Sequence, residues 1–211
     1  MSATDSSHSS DSSDSRSAEI ERTTAETDVR LRLALDGSGA GTRATGVGFL
    51  DHMLDLLARH ARVDLDVSVS GDLHTGSHHT VEDTAIVLGQ ALDRALARRA
   101  RVSRYGSAVV PMDEARASCA IDLSGRPFTL FEAPGLPPGS TGGFEHELAE
   151  EFFRALANAA KLTLHLRVET GTNAHHMIEA AFKAFARALR DAVAIDPREP
   201  GVPSTKGTLT S

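Results

Sequence analysis

The chain has one cysteine, Cys119, among its 211 residues, so no disulfide can close within it. In an alternating segment that residue reads as a small apolar strand position rather than a nucleophile. No apolar run approaches the length that crosses a bilayer, and no apolar h-region follows Met1. No membrane association is expected, and the expected compartment is the cytoplasm. An excess of basic charge is also missing: 22 Lys and Arg stand against 29 Asp and Glu, for a formal charge of -7. A nucleic-acid backbone wants a basic face, so no nucleic-acid partner is expected. A glycine-rich phosphate loop of the nucleotide-binding kind is absent as well. What is left is the composition of an ordinary soluble enzyme, long enough for one or two compact domains with a real core.

Residues 1–18 hold nine serines and three aspartates with almost nothing apolar. Such a segment cannot offset its ordering entropy, so a disordered tail is expected there. Val29, Leu31, Leu33 and Leu35 then alternate with polar neighbours, predicting a half-buried strand. Phe49, Met53, Leu56 and Leu57 have helical spacing, predicting a helix over 49–61. Val63, Leu65, Val67 and Val69 alternate again, and a loop over 71–77 leads into a helix over 79–100. A second series predicts strands over 107–111, 115–123 and 127–131. A Gly/Pro-rich loop follows over 133–143, then a helix over 145–160, a strand over 161–168 and a helix over 174–193. The stretch 196–211 is Pro/Gly-rich and reads as irregular.

The two series repeat each other. His78-His79-Thr80-Val81-Glu82 recurs as His175-His176-Met177-Ile178-Glu179, a displacement of 97 residues from His78 to His175 and from Glu82 to Glu179. The same displacement carries Leu65, Val67 and Val69 onto Leu162, Leu164 and Leu166, and Leu92 onto Leu189. The implied fold is α+β: a duplicated strand-helix-strand-helix unit in two pseudo-symmetric halves, 19–103 and 104–195, with helices packed on mostly antiparallel or mixed sheets.

Residues three and four apart share a helix face, so Glu82 lies beside His78 and His79, and Glu179 beside His175 and His176. Imidazole nitrogen with carboxylate oxygen on one face suits a divalent metal. One such pair could be no more than a polar helix start, but two at matched places in a repeat point to ligands. His165 stands in strand Leu162–Leu166 on the face opposite the leucines. His52 lies near the start of its helix, off the apolar stripe. Each of these, taken alone, is an ordinary surface histidine. Together the six imidazoles and two carboxylates suit two ions, with Mn, Fe or Co favoured over tetrahedral Zn. His60 reads as a packed or capping residue, and His8, His74 and His146 take no part. Arg104, Arg126, Lys183 and Lys206 are scattered cations which, without further information, are solvated charge. Lys183, four residues after Glu179, shares the metal-facing side of its helix.

Read together, Arg22–Thr27, Thr45–Leu54, His78–Asp83, Arg104–Gly106, Pro111–Glu114, Asp122–Pro127, Asn173–His176, Phe182–Ala184 and Pro203–Gly207 resemble imidazoleglycerol-phosphate dehydratases. The match runs from about residue 19 to the C-terminus. The resemblance implies a duplicated fold related to the second domain of ribosomal protein S5. It implies two Mn(II) ions per site, on His52, His78, His79, Glu82, His165, His175, His176 and Glu179. It further implies a substrate-phosphate pocket at Arg104, Arg126, Lys183, Ser204 and Lys206, which makes 196–211 a substrate-binding tail. Glu26 is implied to act as an acid/base group or substrate contact near the metals. A homo-oligomer of 24 subunits with shared sites follows from the same resemblance.

One position departs from the pattern. The family usually carries an acidic residue two places before the first His-His pair, where this chain has Gly76. A carboxylate there could orient a ligand ring. No phosphatase domain is fused, so a monofunctional enzyme is expected. The implied reaction is dehydration of D-erythro-imidazoleglycerol phosphate to imidazole acetol phosphate in L-histidine biosynthesis. The base is Glu26 or Glu179, and residue types alone do not choose between them. Two metals bridged by His and carboxylate also suit in-line displacement, so a metallohydrolase of small phosphate esters is the alternative. A non-catalytic metal store is a third reading, and it has no use for the four cations.

Overall fold

The computed structural model describes residues 16–97 and 99–209. The first half contributes strands β1 (Ser17–Thr23), β2 (Thr27–Ala34), β3 (Arg43–Ala44) and β4 (Asp64–Gly71), with helices α1 (Gly48–Ala61) and α2 (His78–Leu96). The second contributes β5 (Tyr105–Met112), β6 (Ala115–Asp122), β7 (Phe128–Glu132) and β10 (Thr163–Thr170), with α3 (Leu148–Ala160) and α4 (Ala174–Val193). A short hairpin of β8 (Ser140–Thr141) and β9 (Phe144–Glu145) is inserted before α3.

The duplication is visible in the sheets. One has the order β1-β2-β4-β3 and the other β5-β6-β10-β7. In each, three strands run antiparallel and the last joins in parallel. Each half is therefore the expected strand-helix-strand-helix unit with two further strands, one before it, β1 or β5, and one ahead of its first helix, β3 or β7. Val29, Leu31 and Leu33 of β2 and Ala117, Cys119 and Ile121 of β6 face inward, while their neighbours face out. Cys119 is buried as expected, and burial pushes its thiol pKa upward.

Helix α2 covers the first sheet and α4 the second, and the halves lock through α1 on α4 and α2 on α3. Leu33, Leu57, Leu88, Leu92, Leu156, Phe185 and Leu189 meet around one apolar centre. Burying each such side chain contributes roughly 1.5–3 kcal/mol. Gly89 of α2 lies so close to α3 that a Cβ there would stand 2.5 Å from the Leu156 carbonyl oxygen.

Strand ends such as those of β5 and β10 lie one or two residues from expectation, and three boundaries differ by more. Of the expected tail, residues 1–15 lie outside the described residues, but Arg16–Ala18 belong to the fold. Arg16 pairs with Asp36, Ser17 stands opposite Ala34, and Ala18 is buried, so pairing with β2 outweighs the polar composition. Helix α2 stops at Leu96 rather than residue 100, because Ala97 and Arg99 take positive φ, of 46° and 53°, which no helix continues. Helix α3 starts at Leu148, since Phe144 and Glu145 are drawn into the hairpin.

Candidate metal centre and substrate pocket

Apart from His165 on β10, the expected ligand side chains stand near the starts of three helices. In the first turn of α1, Asp51 accepts hydrogen bonds from the backbone N–H and hydroxyl of Thr45, at 2.8 and 2.7 Å, which fixes the turn that presents His52. Ahead of α4, Asn173 caps the helix by accepting from the N–H groups of His175 and His176. Ahead of α2, Ser77 donates to Glu145.

His52, His175 and Glu179 form a compact cluster. Nε2 of His52 is 3.3 Å and Nε2 of His175 3.1 Å from Oε2 of Glu179, and the three ligand atoms lie within 4.8 Å of one another. Two donors about 2.1 Å from one ion at right angles stand about 3 Å apart, so these separations fit a bound divalent cation. The second oxygen of Glu179 takes the ammonium of Lys183, at 2.6 Å. Burial pushes the Glu179 pKa up, but Lys183, His52 and His175 outweigh it and hold the carboxyl below its ordinary value.

The second histidine of each pair is oriented by a carboxylate. Nδ1 of His79 lies 3.0 Å from Asp72, and Nδ1 of His176 lies 2.7 Å from Glu114. Each carboxylate raises the pKa of its histidine. Holding Nδ1 turns Nε2 outward as the donor. Glu114, in the turn after β5, also accepts from the N–H groups of Thr172 and Asn173, at 3.1 and 2.8 Å. His176 and those two N–H groups lower its pKa to about 2. Asp72 carried no signal in the sequence, because it reaches its histidine from a loop outside the HHxxE spacing, while Glu114 stood in the matching Pro111–Glu114 segment with no role read for it. At Gly76 the backbone stands at φ 119°, a conformation that favours glycine, and Asp72 is the carboxylate that meets the pair.

The eight expected ligands do not converge in one chain. His78 faces Glu82 at 3.7 Å, and His79 lies 3.7 Å from Glu26. His165 projects from the outer face of β10, beside the Phe128 ring. Among the described residues, only the His52 cluster brings three ligand atoms together. Glu26, in the turn between β1 and β2, is half exposed beside His79.

Four of the five expected phosphate contacts gather at one edge. Arg104 is paired with Asp122, stacks on Tyr105, and donates to the Pro203 carbonyl at 2.8 Å. Arg126 follows the Ser124–Gly125 turn, and Gly125 packs against Leu209. Ser204 and Lys206 lie between Pro203 and Leu209, joined by a bond from the Lys206 N–H to the Ser204 hydroxyl. Lys183 lies apart from them, on Glu179. Of the residues set aside, His146 is buried and ties the hairpin to Pro137 and Thr141.

The family model for imidazoleglycerol-phosphate dehydratase matches residues 45–189. The imidazoleglycerol-phosphate dehydratase of Symbiobacterium thermophilum is 58% identical over 92% of this chain and 93% of its own length. That of Moorella thermoacetica is 55% identical over 93% of this chain and its full length. The Staphylococcus aureus dehydratase structure superposes with a TM-score of 0.77 at 39% identity, covering 85% of this chain and 99% of that one. The Pyrococcus furiosus structure, in complex with (S)-C348, gives 0.77 at 35% identity, covering 90% and 99%. The chain belongs to the imidazoleglycerol-phosphate dehydratase family.

Proposed function

We propose that this chain dehydrates D-erythro-imidazoleglycerol phosphate to imidazole acetol phosphate in L-histidine biosynthesis, as a hydro-lyase of the cytoplasm. The observation that carries the reading is the His52–His175–Glu179 cluster in a chain whose relatives of matching length bear that name.

The donor set fits two Mn(II) ions per site, held by His52, His78, His79, Glu82, His165, His175, His176 and Glu179. A divalent cation bound there supplies positive charge that favours the ionised form of the substrate's imidazole ring. The hydroxyl beside the ring leaves, the next carbon gives up its proton to a carboxylate, and the enol so formed tautomerises to the ketone. Both oxygens of Glu179 are engaged, one by Lys183 and the other by His52 and His175. Glu26, half exposed, has only the looser 3.7 Å approach of His79 recorded on its carboxylate and is the better-placed base. Arg126, Ser204 and Lys206, with Arg104 holding their loop, suit the phosphate end. Lys183 joins that set from the metal side.

Sites shared between copies, in a shell of 24 subunits, account for ligands that one chain holds apart. His165 sits on a sheet face that also exposes Val109, Phe128 and Leu130, an apolar surface suited to a second copy. The test is to incubate the protein with imidazoleglycerol phosphate and Mn(II) and weigh the product. Loss of one water with the phosphate retained supports the reading. Release of inorganic phosphate would replace it with the hydrolase.

A further inference from the structure

The loop carrying Ser204 and Lys206 is held at both ends by arginines. Arg104 takes the Pro203 carbonyl at one end, and Arg99 takes the Leu209 carbonyl at the other, at 3.2 Å. Arg99 is 0% exposed. It lies just beyond the end of α2 and reaches three elements. One terminal nitrogen donates to the Leu209 carbonyl, and the other donates at 2.7 Å to both Asp93 and the Ala160 carbonyl at the end of α3. Burying a guanidinium is costly unless it is paired and hydrogen-bonded, so this geometry resists displacement. Gly125 closes the arrangement. At φ 74°, it packs so closely that a Cβ there would stand 1.7 Å from the Leu209 oxygen and 3.3 Å from Arg99. The next residue is Arg126. Leu209 is itself buried.

The geometry points to Arg99 as a positioning residue for substrate: by gripping the Leu209 carbonyl against the Gly125 turn, it holds the Ser204–Lys206 loop beside Arg126 so that both reach the substrate's phosphate. This rests on the proposed reading of that loop as phosphate-binding. A charge-assisted contact of this kind is worth about tenfold in binding.

The experiment uses the full-length, Mn(II)-loaded enzyme and four variants: Arg99→Met, Arg99→Lys, a truncation removing residues 209–211, and Lys206→Ala. It measures kcat/KM for imidazoleglycerol phosphate, competitive inhibition by inorganic phosphate, and bound Mn(II). Arg99→Met and the truncation are expected to lose about tenfold in kcat/KM. Phosphate inhibition is expected to weaken by a similar factor while bound metal is unchanged. Arg99→Lys keeps the charge but not the reach and falls between. A purely structural role would lower the yield and Tm of folded enzyme without weakening phosphate inhibition, and that result overturns the inference. If Arg99→Met does not fold, the truncation decides. Wild-type values in Arg99→Met and the truncation, beside a weakened Lys206→Ala, would overturn the positioning role alone. Wild-type values in Lys206→Ala would overturn the phosphate reading and this inference with it.

Discussion

A histidine binds a metal through one ring nitrogen, and whatever holds the other nitrogen decides where the ring points. Asp72 and Glu114 do this for His79 and His176. Replacing either by alanine is expected to weaken metal binding about tenfold to a hundredfold, as read by Mn(II) titration of the metal-free protein. Unchanged affinity would make both carboxylates bystanders. Glu26→Gln should separate chemistry from binding: bound Mn(II) is kept while kcat falls by about 10²–10⁴. A near-wild-type kcat in that variant would remove Glu26 as the base. The HHxxE pairs were legible because helical spacing puts their side chains on one face, and His165 because a strand alternates. Asp72 was not, since a turn brings it to its ring from outside any period, and Glu114 showed only as part of the matching Pro111–Glu114 segment, without its role. Arg99 was hidden differently: in Arg98-Arg99-Ala100-Arg101 it reads as solvated charge, yet the left-handed backbone turns it inward.

The elements follow their apolar periods closely, and the departures have local causes. Strand β1 was masked by a serine-rich lead-in, although Ala18 and Ile20 carry the inward alternation that pairs it with β2. At Gly89 the packing reverses the usual preference. A glycine-to-alanine change inside a helix ordinarily gains up to about 1 kcal/mol. Here the new methyl meets the backbone of α3, and overpacking of that kind costs about 1–3 kcal/mol. Gly89→Ala is therefore expected to lower the Tm, and a raised Tm would show that α2 and α3 can part without loss. Asp64, at the start of β4, shapes the loop after β2. Its carboxylate accepts from the N–H groups of Ser38, Gly39 and Ala40, and the bonds from Ser38 and Ala40 lead in lowering its pKa below the ordinary 3.8. A depressed folded-state pKa contributes stability that is present above the unfolded value and lost as pH falls through the folded one. Asp64→Ala should be less stable than wild type at neutral pH, and thermal melts should show the gap closing as pH drops below 3.8. A gap that persists undiminished well below that pH would contradict this role.

At the scale of the whole molecule, the 97-residue displacement between the histidine pairs predicted two equivalent halves, and the matching strand orders bear this out. Among the described residues, no helix is long and apolar enough to cross a membrane. Sequence periods could place the ligands on faces but not bring them together, because the faces of one chain do not close on one another. His165 lies on an outer sheet surface, while His52, His175 and Glu179 cluster at helix starts. We propose that dehydration occurs at sites completed by a second copy. The most direct measurement is activity in a mixed oligomer, with His165→Ala and Glu179→Gln chains co-expressed under separate tags and purified through both. Each variant alone should be inactive. If the two residues serve a site from different chains, random assembly leaves about a quarter of the sites with both intact. The mixed oligomer is expected to recover a corresponding share of wild-type dehydration. A doubly tagged oligomer no more active than either parent would contradict it.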